Sequence, residues 1–278
     1  MKVNRQDFLD ALEEVRPAFG VSEMELEQVL KGGMIHYSQN IDSILEEGHL
    51  CVERARESQI APRVSVLMHG PRGSGKTALA AVIAKNSEFP FVKLISPEDM
   101  TGFNETRKVN HLTKVFQDAY KSPLSVVIVD DIERILEFVP IGPQFSNAIL
   151  QTLVNLFCKQ PPNGQRLLII ATTTQRSALE RMGLLEYFDE DITVPNVSSH
   201  SELAHILHVL QVFESPDEQQ EALEELQNIT GTTNLNVGIK KILVLLMDTV
   251  RRQNGDIKGR FVSAMSRVAG QVRRAFDG

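Results

Sequence analysis

The chain has 278 residues, of which 42% are hydrophobic and 23% are charged, which fits one large globular domain with a smaller one beside it. A net charge of −7 argues against a surface that wraps nucleic acid, and no apolar run approaches the ~18 residues that a membrane span needs. The two cysteines offer no disulfide framework, which suits a reducing cytoplasm.

Two helices are predicted at the start of the chain, whose polar and acidic beginning is unlike a secretory signal. Residues 4–16 carry apolar side chains at helical spacing behind Asn4, a suitable N-cap. Ser22 and Glu25 have the spacing of a capping box for a second, short helix. We interpret residues 1–31 as a linker or docking arm.

From residue 64 onward the pattern is that of an α/β domain. Continuous apolar runs alternate with helical patterns, which predicts a parallel sheet covered on both faces, with its ligand at the carboxyl ends of the strands. The five predicted strands cover residues 65–70, 91–96, 125–130, 167–173 and 191–196.

After Pro195 the sequence predicts helices and no further strand. The predicted helices cover residues 200–212, 217–229, 237–252 and 257–276. The expected architecture is therefore an arm (1–31), an α/β wedge (32–198) and an all-helical lid (199–278).

The segment "GPRGSGKT", residues 70–77, fits the phosphate-loop pattern. Glycines let backbone amides turn toward phosphate oxygens, the following helix offers its positive end, the lysine reaches the β- and γ-phosphates, and the threonine hydroxyl binds Mg²⁺. The segment follows a predicted apolar strand and precedes a predicted helix, which is the context that a phosphate loop requires. We predict that ATP is bound by Pro71, Arg72, Gly73, Ser74, Gly75, Lys76, Thr77 and Ala78.

The strand over residues 125–130 ends in two aspartates. Asp130 is predicted to bind Mg²⁺ together with Thr77. Asp131 stands where a glutamate commonly orients the attacking water, and its carboxylate is one methylene shorter, or about 1 Å, a misplacement that costs on the order of a hundredfold in rate. We expect ATP binding with slow hydrolysis, with a simple helix cap as the alternative role for Asp131.

The fourth strand ends in three threonines, residues 172–174. A hydroxyl at this position can touch the γ-phosphate or the attacking water, and Thr173 is the predicted catalytic residue. The alternative is that these hydroxyls cap the helix that begins near Ser177.

Together these features resemble an AAA+ ATPase module. The segments "RPAFGVSEMELE" (16–27), "GGMIHYSQNI" (32–41), "VPIGPQFSNAILQ" (139–151) and "NVGIKKIL" (236–243) resemble more narrowly the second ATPase domain of the N-ethylmaleimide-sensitive fusion factors, in their fungal form. The resemblance covers nearly the whole chain.

The resemblance implies a function. In that family a hexamer separates SNARE complexes with SNAP adaptors during vesicle transport, and the second ATPase domain binds Mg-ATP tightly, hydrolyses it slowly and holds the hexamer together. It implies that this chain is that module alone, a cytoplasmic homo-oligomer that meets membranes through its partners, without inserting into them, and does not bind nucleic acid.

The resemblance also implies further nucleotide contacts. It places Lys240 near the γ-phosphate, with a solvated helix lysine as the alternative, and Arg166 near the nucleotide of a neighbouring subunit. It places along the adenine the four residues Gly33, Met34, Ile35 and Tyr37.

Two motifs of active AAA+ motors are altered. Glu186 and Tyr187 stand where an arginine finger is expected, and residues 100–102, "MTG", replace the aromatic triplet of the substrate-threading loop, with Phe103 displaced. Both changes favour a scaffold that holds ATP. A hydrolysing remodelling motor is the first alternative. The second alternative is a small-molecule kinase or a clamp loader. The helical C-terminal part argues against the kinase, and the negative net charge argues against the clamp loader.

Overall fold

The computed structural model describes residues 23–30, 33–58, 62–141, 144–231, 234–251 and 256–276. The helix predicted over residues 4–16, and Ser22 of the predicted capping box, lie outside these ranges. The described part of the predicted arm is helix α1 (Glu23–Leu30), and its Leu26 is buried in a hydrophobic core that it shares with the sheet. This part of the arm therefore packs as part of the fold.

A five-stranded parallel sheet lies at the centre, as the sequence predicts. Alternate residues of the strand Leu124–Val129 face two separate hydrophobic cores. Val126 and Ile128 lie in one core, and Val127 and Val129 lie in the other. Burial on both faces explains the continuous apolar runs. In the spatial order β2-β3-β4-β1-β5, the strands are β1 (Arg63–His69), β2 (Phe91–Ile95), β3 (Leu124–Val129), β4 (Arg166–Thr173) and β5 (Glu190–Thr193).

Helices cover both faces of the sheet and continue beyond its last strand. None of the described helices is long and apolar enough to span a membrane. After α1 they are α2 (Gln39–Glu57), α3 (Lys76–Asn86), α4 (Glu105–Ala119), α5 (Ile132–Ile135), α6 (Asn147–Cys158), α7 (Arg176–Arg181), α8 (His200–Val209), α9 (Pro216–Thr230), α10 (Ile239–Arg251) and α11 (Ile257–Phe276).

The described residues of the C-terminal part, from residue 199 onward, are mostly but not entirely helical, so the expectation that no strand follows Pro195 is wrong. Strands β6 (Val197–Ser199) and β7 (Asn234–Val237) form a small antiparallel sheet. In β7 the alternating Leu235 and Val237 are buried. The helix predicted from residue 237 begins two residues later because the strand occupies that end of the segment.

Candidate nucleotide-binding site

The loop between β1 and α3 forms a cradle for an anion. Gly73 and Gly75 have φ angles of +83° and +99°, a conformation that side chains disfavour. At Gly70 a Cβ atom would lie 2.1 Å from the carbonyl oxygen of Val194, so a larger residue does not fit beside the end of β5. Helix α3 begins at Lys76, and its unpaired amides and positive end face the same cradle. This arrangement fits phosphate groups.

Lys76 lies buried beneath the loop. Its ammonium donates hydrogen bonds to the carbonyl oxygens of Gly70 (2.9 Å) and Pro71 (2.8 Å). Burial lowers the pKa of Lys76, and the negative charges of Asp131, Glu133 and Asp130 oppose that shift. The ammonium therefore lies between the phosphate loop and a group of carboxylates, where phosphate oxygens can replace the two carbonyls as acceptors.

The predicted magnesium ligands lie together. The hydroxyl of Thr77 donates to Oδ1 of Asp130 at 2.7 Å, and the hydroxyl of Thr172 donates to the same oxygen at 2.7 Å. Burial raises the pKa of Asp130, and these two hydrogen bonds oppose that shift. A hydroxyl beside a carboxylate suits Mg²⁺, which binds few protein oxygens and keeps several waters. The sequence interpretation favoured Thr173 and assigned no separate role to Thr172.

Thr172 also orders the second aspartate, because its hydroxyl oxygen accepts the backbone N–H of Asp131 at 2.9 Å. We expect Thr172→Val to lower the free energy of unfolding by about 1–3 kcal/mol, since the variant leaves buried polar groups unpaired, and to raise the Mg²⁺ concentration needed for ATP binding. Thermal unfolding and a Mg²⁺ titration measure both effects. Thr113→Val is the control, since its hydroxyl bonds the Val109 carbonyl of its own helix. Equal effects in both variants would contradict this assignment.

Asp131 occupies an unusual backbone position. Its φ and ψ are 44° and 55°, and its side chain makes no capping hydrogen bond to α5, so the helix-cap alternative lacks support. Its Oδ2 lies 3.4 Å from Nη1 of Arg134, and that nitrogen donates to Oε1 of Glu98 at 2.8 Å. The carboxylate therefore lies beside the cation of Arg134, and its negative charge also acts on the pKa of Lys76.

Thr173 lies at the expected strand end, paired in register with His69, but its hydroxyl is already engaged. The hydroxyl donates to Oε2 of Glu133 at 2.8 Å and accepts the N–H of Gln175 at 2.9 Å. Oε1 of Glu133 accepts the N–H and the hydroxyl of Thr174 at 2.9 and 2.6 Å. Sequence reasoning missed Glu133. The available signal was an acidic residue inside a helical turn with apolar neighbours, "IERI".

The segment predicted to lie along the adenine precedes α2. Gly33 has a φ of +68°, Met34 and Ile35 pack partly buried against the core, and Tyr37 is buried. Burial, with the charge of Glu202, raises the pKa of Tyr37 to about 12. Its phenol oxygen has no hydrogen-bond partner among the described residues.

Ser74 in the phosphate loop is also buried with an unpartnered hydroxyl in the described structure. Buried polar atoms in native proteins are nearly always hydrogen-bonded, so unpartnered ones at Tyr37 and Ser74 fit a site that completes its bonds with a ligand. The glycine cradle and Lys76 meet the requirements of the phosphate groups of a nucleotide.

The helical C-terminal part contacts the phosphate loop directly. The backbone N–H of Lys240 donates to the carbonyl oxygen of Gly73 at 3.1 Å, and Ile239 lies 3.5 Å from the position of a Cβ atom at Gly75. The start of α10 therefore lies on the loop, with the side chain of Lys240 exposed to solvent, so its contact with the γ-phosphate stays a prediction.

The close approach of α10 to the phosphate loop depends on Gly238. A Cβ atom there would lie 3.0 Å from the Gly73 carbonyl oxygen and 3.1 Å from that of Arg72. We expect Gly238→Ala to push α10 off the loop and weaken ATP binding by about tenfold, at the low end of the cost of overpacking. Calorimetric titration measures the affinity, and Gly270→Ala, with nothing within 4 Å of its Cβ, is the control. Unchanged affinity in Gly238→Ala would contradict a role for this contact.

The structure does not bring Arg166 to the site. It is the first residue of β4 and Thr173 is the last, so the two are separated by about 23 Å at the usual rise of a strand. Arg166 therefore lies at the amino edge of the sheet, away from the cradle of its own chain.

The segment that replaces the substrate-threading triplet is packed. Met100 is buried, and the ring of Phe103 lies edge-on to His111, with centroids 5.9 Å apart. The guanidinium of Arg107 lies over the same ring at 4.0 Å from its centroid. Phe103 is therefore held by α4 instead of projecting freely.

Several known proteins are similar to this chain in sequence. Residues 66–196 match the model of the "ATPase family associated with various cellular activities (AAA)". The vesicular-fusion protein sec18 of Schizosaccharomyces pombe is 53% identical over 268 residues, which are 96% of this chain and 34% of that protein. The vesicular-fusion protein SEC18 of Saccharomyces cerevisiae is 43% identical over 269 residues, 97% of this chain and 35% of that protein.

The vesicle-fusing ATPase of Dictyostelium discoideum is 47% identical over 202 residues, 73% of this chain and 27% of that protein. The chain spans about a third of the length of the two curated fungal relatives. The high identity to the two fungal proteins over nearly all of this chain supports the same assignment as the phosphate loop, the acidic strand end and the α/β fold. The chain therefore carries an AAA ATPase domain, and over nearly its whole length it matches about a third of the fungal vesicular-fusion proteins.

Proposed function

We propose that the chain is an ATP-binding, ring-forming module, the second ATPase domain of a factor that separates SNARE complexes. The observation that carries this proposal is the contact of α10 with the phosphate loop, in which the Lys240 N–H meets the Gly73 carbonyl. A γ-phosphate between Lys76 and Lys240 would bridge the wedge and the helical part. Thr77 and Asp130 would hold Mg²⁺, which neutralises phosphate charge.

Three features support slow hydrolysis. The carboxylate of Asp131 is short and lies near the cation of Arg134. The hydroxyl of Thr173 is bonded to Glu133. Glu186 occupies the segment where active motors carry an arginine finger, a residue that supplies a factor of about 10³ or more. A site with these features binds ATP and retains it.

Two features support assembly with further copies of the chain. Arg166 is too far from its own cradle to act there, so its predicted nucleotide contact requires a neighbouring subunit. Large apolar side chains are exposed on the segment after α5, where Ile141 is 91% exposed and Val139 and Phe145 are also open, an arrangement typical of protein contact sites. A hexamer, SNAP adaptors and SNARE complexes complete the proposal, in a cytoplasmic protein that reaches membranes through these partners.

The native mass of the chain with and without Mg-ATP tests this function. We expect a monomer without nucleotide and about six chains with Mg-ATP, because the γ-phosphate orders the interface. Arg166→Ala is the matched variant, and it should bind ATP normally and fail to assemble. A ring that forms equally well without nucleotide would contradict the proposal.

The alternative is a working remodelling motor that hydrolyses ATP through Asp131, since the side chain of that residue makes no capping bond and its charge acts on Lys76. Steady-state turnover at the rate of active motors, together with its loss in Phe103→Ala, would favour the motor.

A further inference from the structure

Glu133 is a buried carboxylate, 6% exposed, whose hydrogen-bond donors among the described residues are neutral. They are the hydroxyl of Thr173, the hydroxyl of Thr174 and the N–H of Thr174. A buried charge is costly unless it is hydrogen-bonded, and bonds to a charged acceptor are stronger than neutral ones. The four-residue helix α5 therefore holds the end of β4 tightly.

This bond uses the one proton that Thr173 has to give. A threonine hydroxyl is a single donor, so a hydroxyl that donates to Glu133 cannot also donate a hydrogen bond to a γ-phosphate or to an attacking water. Its oxygen already accepts the N–H of Gln175. Thr173 is the residue that the sequence places beside the γ-phosphate, and the structure gives its hydroxyl to a different partner.

Asp130 and Glu133, the first and last residues of the segment 130–133, accept hydrogen bonds from different threonines of β4. Asp130, a predicted magnesium ligand, accepts the hydroxyl of Thr172, whereas Glu133, one turn later and not a predicted ligand, accepts the hydroxyl of Thr173. The negative charge of Glu133 also acts on Lys76. Glu133 thus acts on both the predicted phosphate-binding Lys76 and the predicted catalytic Thr173, although Glu133 itself is not predicted to bind the nucleotide or Mg²⁺.

We propose that Glu133 is a positioning residue that holds the Thr173 hydroxyl away from the nucleotide and so slows ATP hydrolysis. The proposal rests on the proposed function, because it explains how a chain with a complete phosphate loop retains ATP. Releasing Thr173 frees one donor for the γ-phosphate or the water.

Glu133→Gln is the test. Its single amide oxygen can still accept the two bonds of Thr174, while its NH₂ group cannot accept the Thr173 hydroxyl. We expect kcat to rise about tenfold, the factor that follows from removing one hydrogen bond to a charged acceptor. We expect KM and the ATP affinity to stay within about twofold, which a general loss of structure would not leave intact. Glu57→Gln, an exposed site, is the control.

Thr173→Val completes a double-mutant cycle. Because the rise in Glu133→Gln requires a freed Thr173 hydroxyl, Glu133→Gln should have no effect on kcat in the Thr173→Val background. A tenfold loss in Thr173→Val, an unchanged kcat in Glu133→Gln, or the same rise in both backgrounds would overturn the role of Glu133. The Thr173→Val result stands even where Glu133→Gln unfolds. Fast wild-type turnover or absent ATP binding would instead contradict the proposed function.

Discussion

Lys76→Ala is expected to weaken ATP binding by at least about a hundredfold, the range for removing one partner of a buried, hydrogen-bonded charge pair. The ammonium is buried beneath the loop, where water cannot replace it, and it lies among the carboxylates of Asp130, Asp131 and Glu133. Without its charge these carboxylates would face the phosphates directly. The repulsion adds to the loss of the hydrogen bonds.

Calorimetric titration with Mg-ATP and Mg-ADP measures this effect. Lys85→Ala is the matched control, since Lys85 is an exposed lysine in the last turn of the same helix and should bind ATP as the wild type does. Thermal unfolding without nucleotide separates a binding defect from a folding defect. An affinity within about threefold of wild type in a folded Lys76→Ala protein is below the effect of a buried charge pair and would rule out this site as the ATP site.

Asp131→Glu is expected to raise steady-state turnover by about a hundredfold, the effect of correcting a misplacement of about 1 Å. The added methylene extends the carboxylate toward the place where the attacking water would lie. It also moves the carboxylate relative to Arg134, which is 3.4 Å from the aspartate. ATP affinity should change little, because the backbone N–H of residue 131 keeps its bond to Thr172.

Asp217→Glu is the control for this substitution, because it adds the same methylene at an exposed position in the first turn of α9. Phosphate release under saturating Mg-ATP gives the rates of both variants. Turnover of the wild type equal to that of Asp131→Glu would show that the shorter carboxylate does not limit hydrolysis.

The sheet and the phosphate loop could be predicted because their signals are local. A strand buried on both faces reads as an apolar run, as in residues 126–129 of β3, and the glycines of the loop are required by backbone angles. The sequence predicts that Thr77 and Asp130 lie together, and a hydrogen bond joins them, because the loop after β1 and the end of β3 lie at the same carboxyl edge of the sheet.

The partners of the individual hydroxyls could not be predicted in this way. Thr172, Thr173 and Thr174 are chemically alike, and the pleat and the approach of α5 decide which carboxylate each one meets. The β6–β7 pair was missed because its strands have three and four residues, too few to show an alternating pattern. The contact of Gly238 with the phosphate loop likewise depends on how distant segments pack.

The fate of bound nucleotide tests the central claim most directly. The chain is loaded with Mg-ATP, freed of excess nucleotide, held at working temperature, and its bound nucleotide is then extracted and identified at intervals. The account predicts that most of the nucleotide remains ATP while the protein stays assembled, and that Asp131→Glu converts it to ADP about a hundredfold faster. Rapid conversion to ADP in the wild-type chain, or no retained nucleotide, would contradict the claim that this module holds ATP.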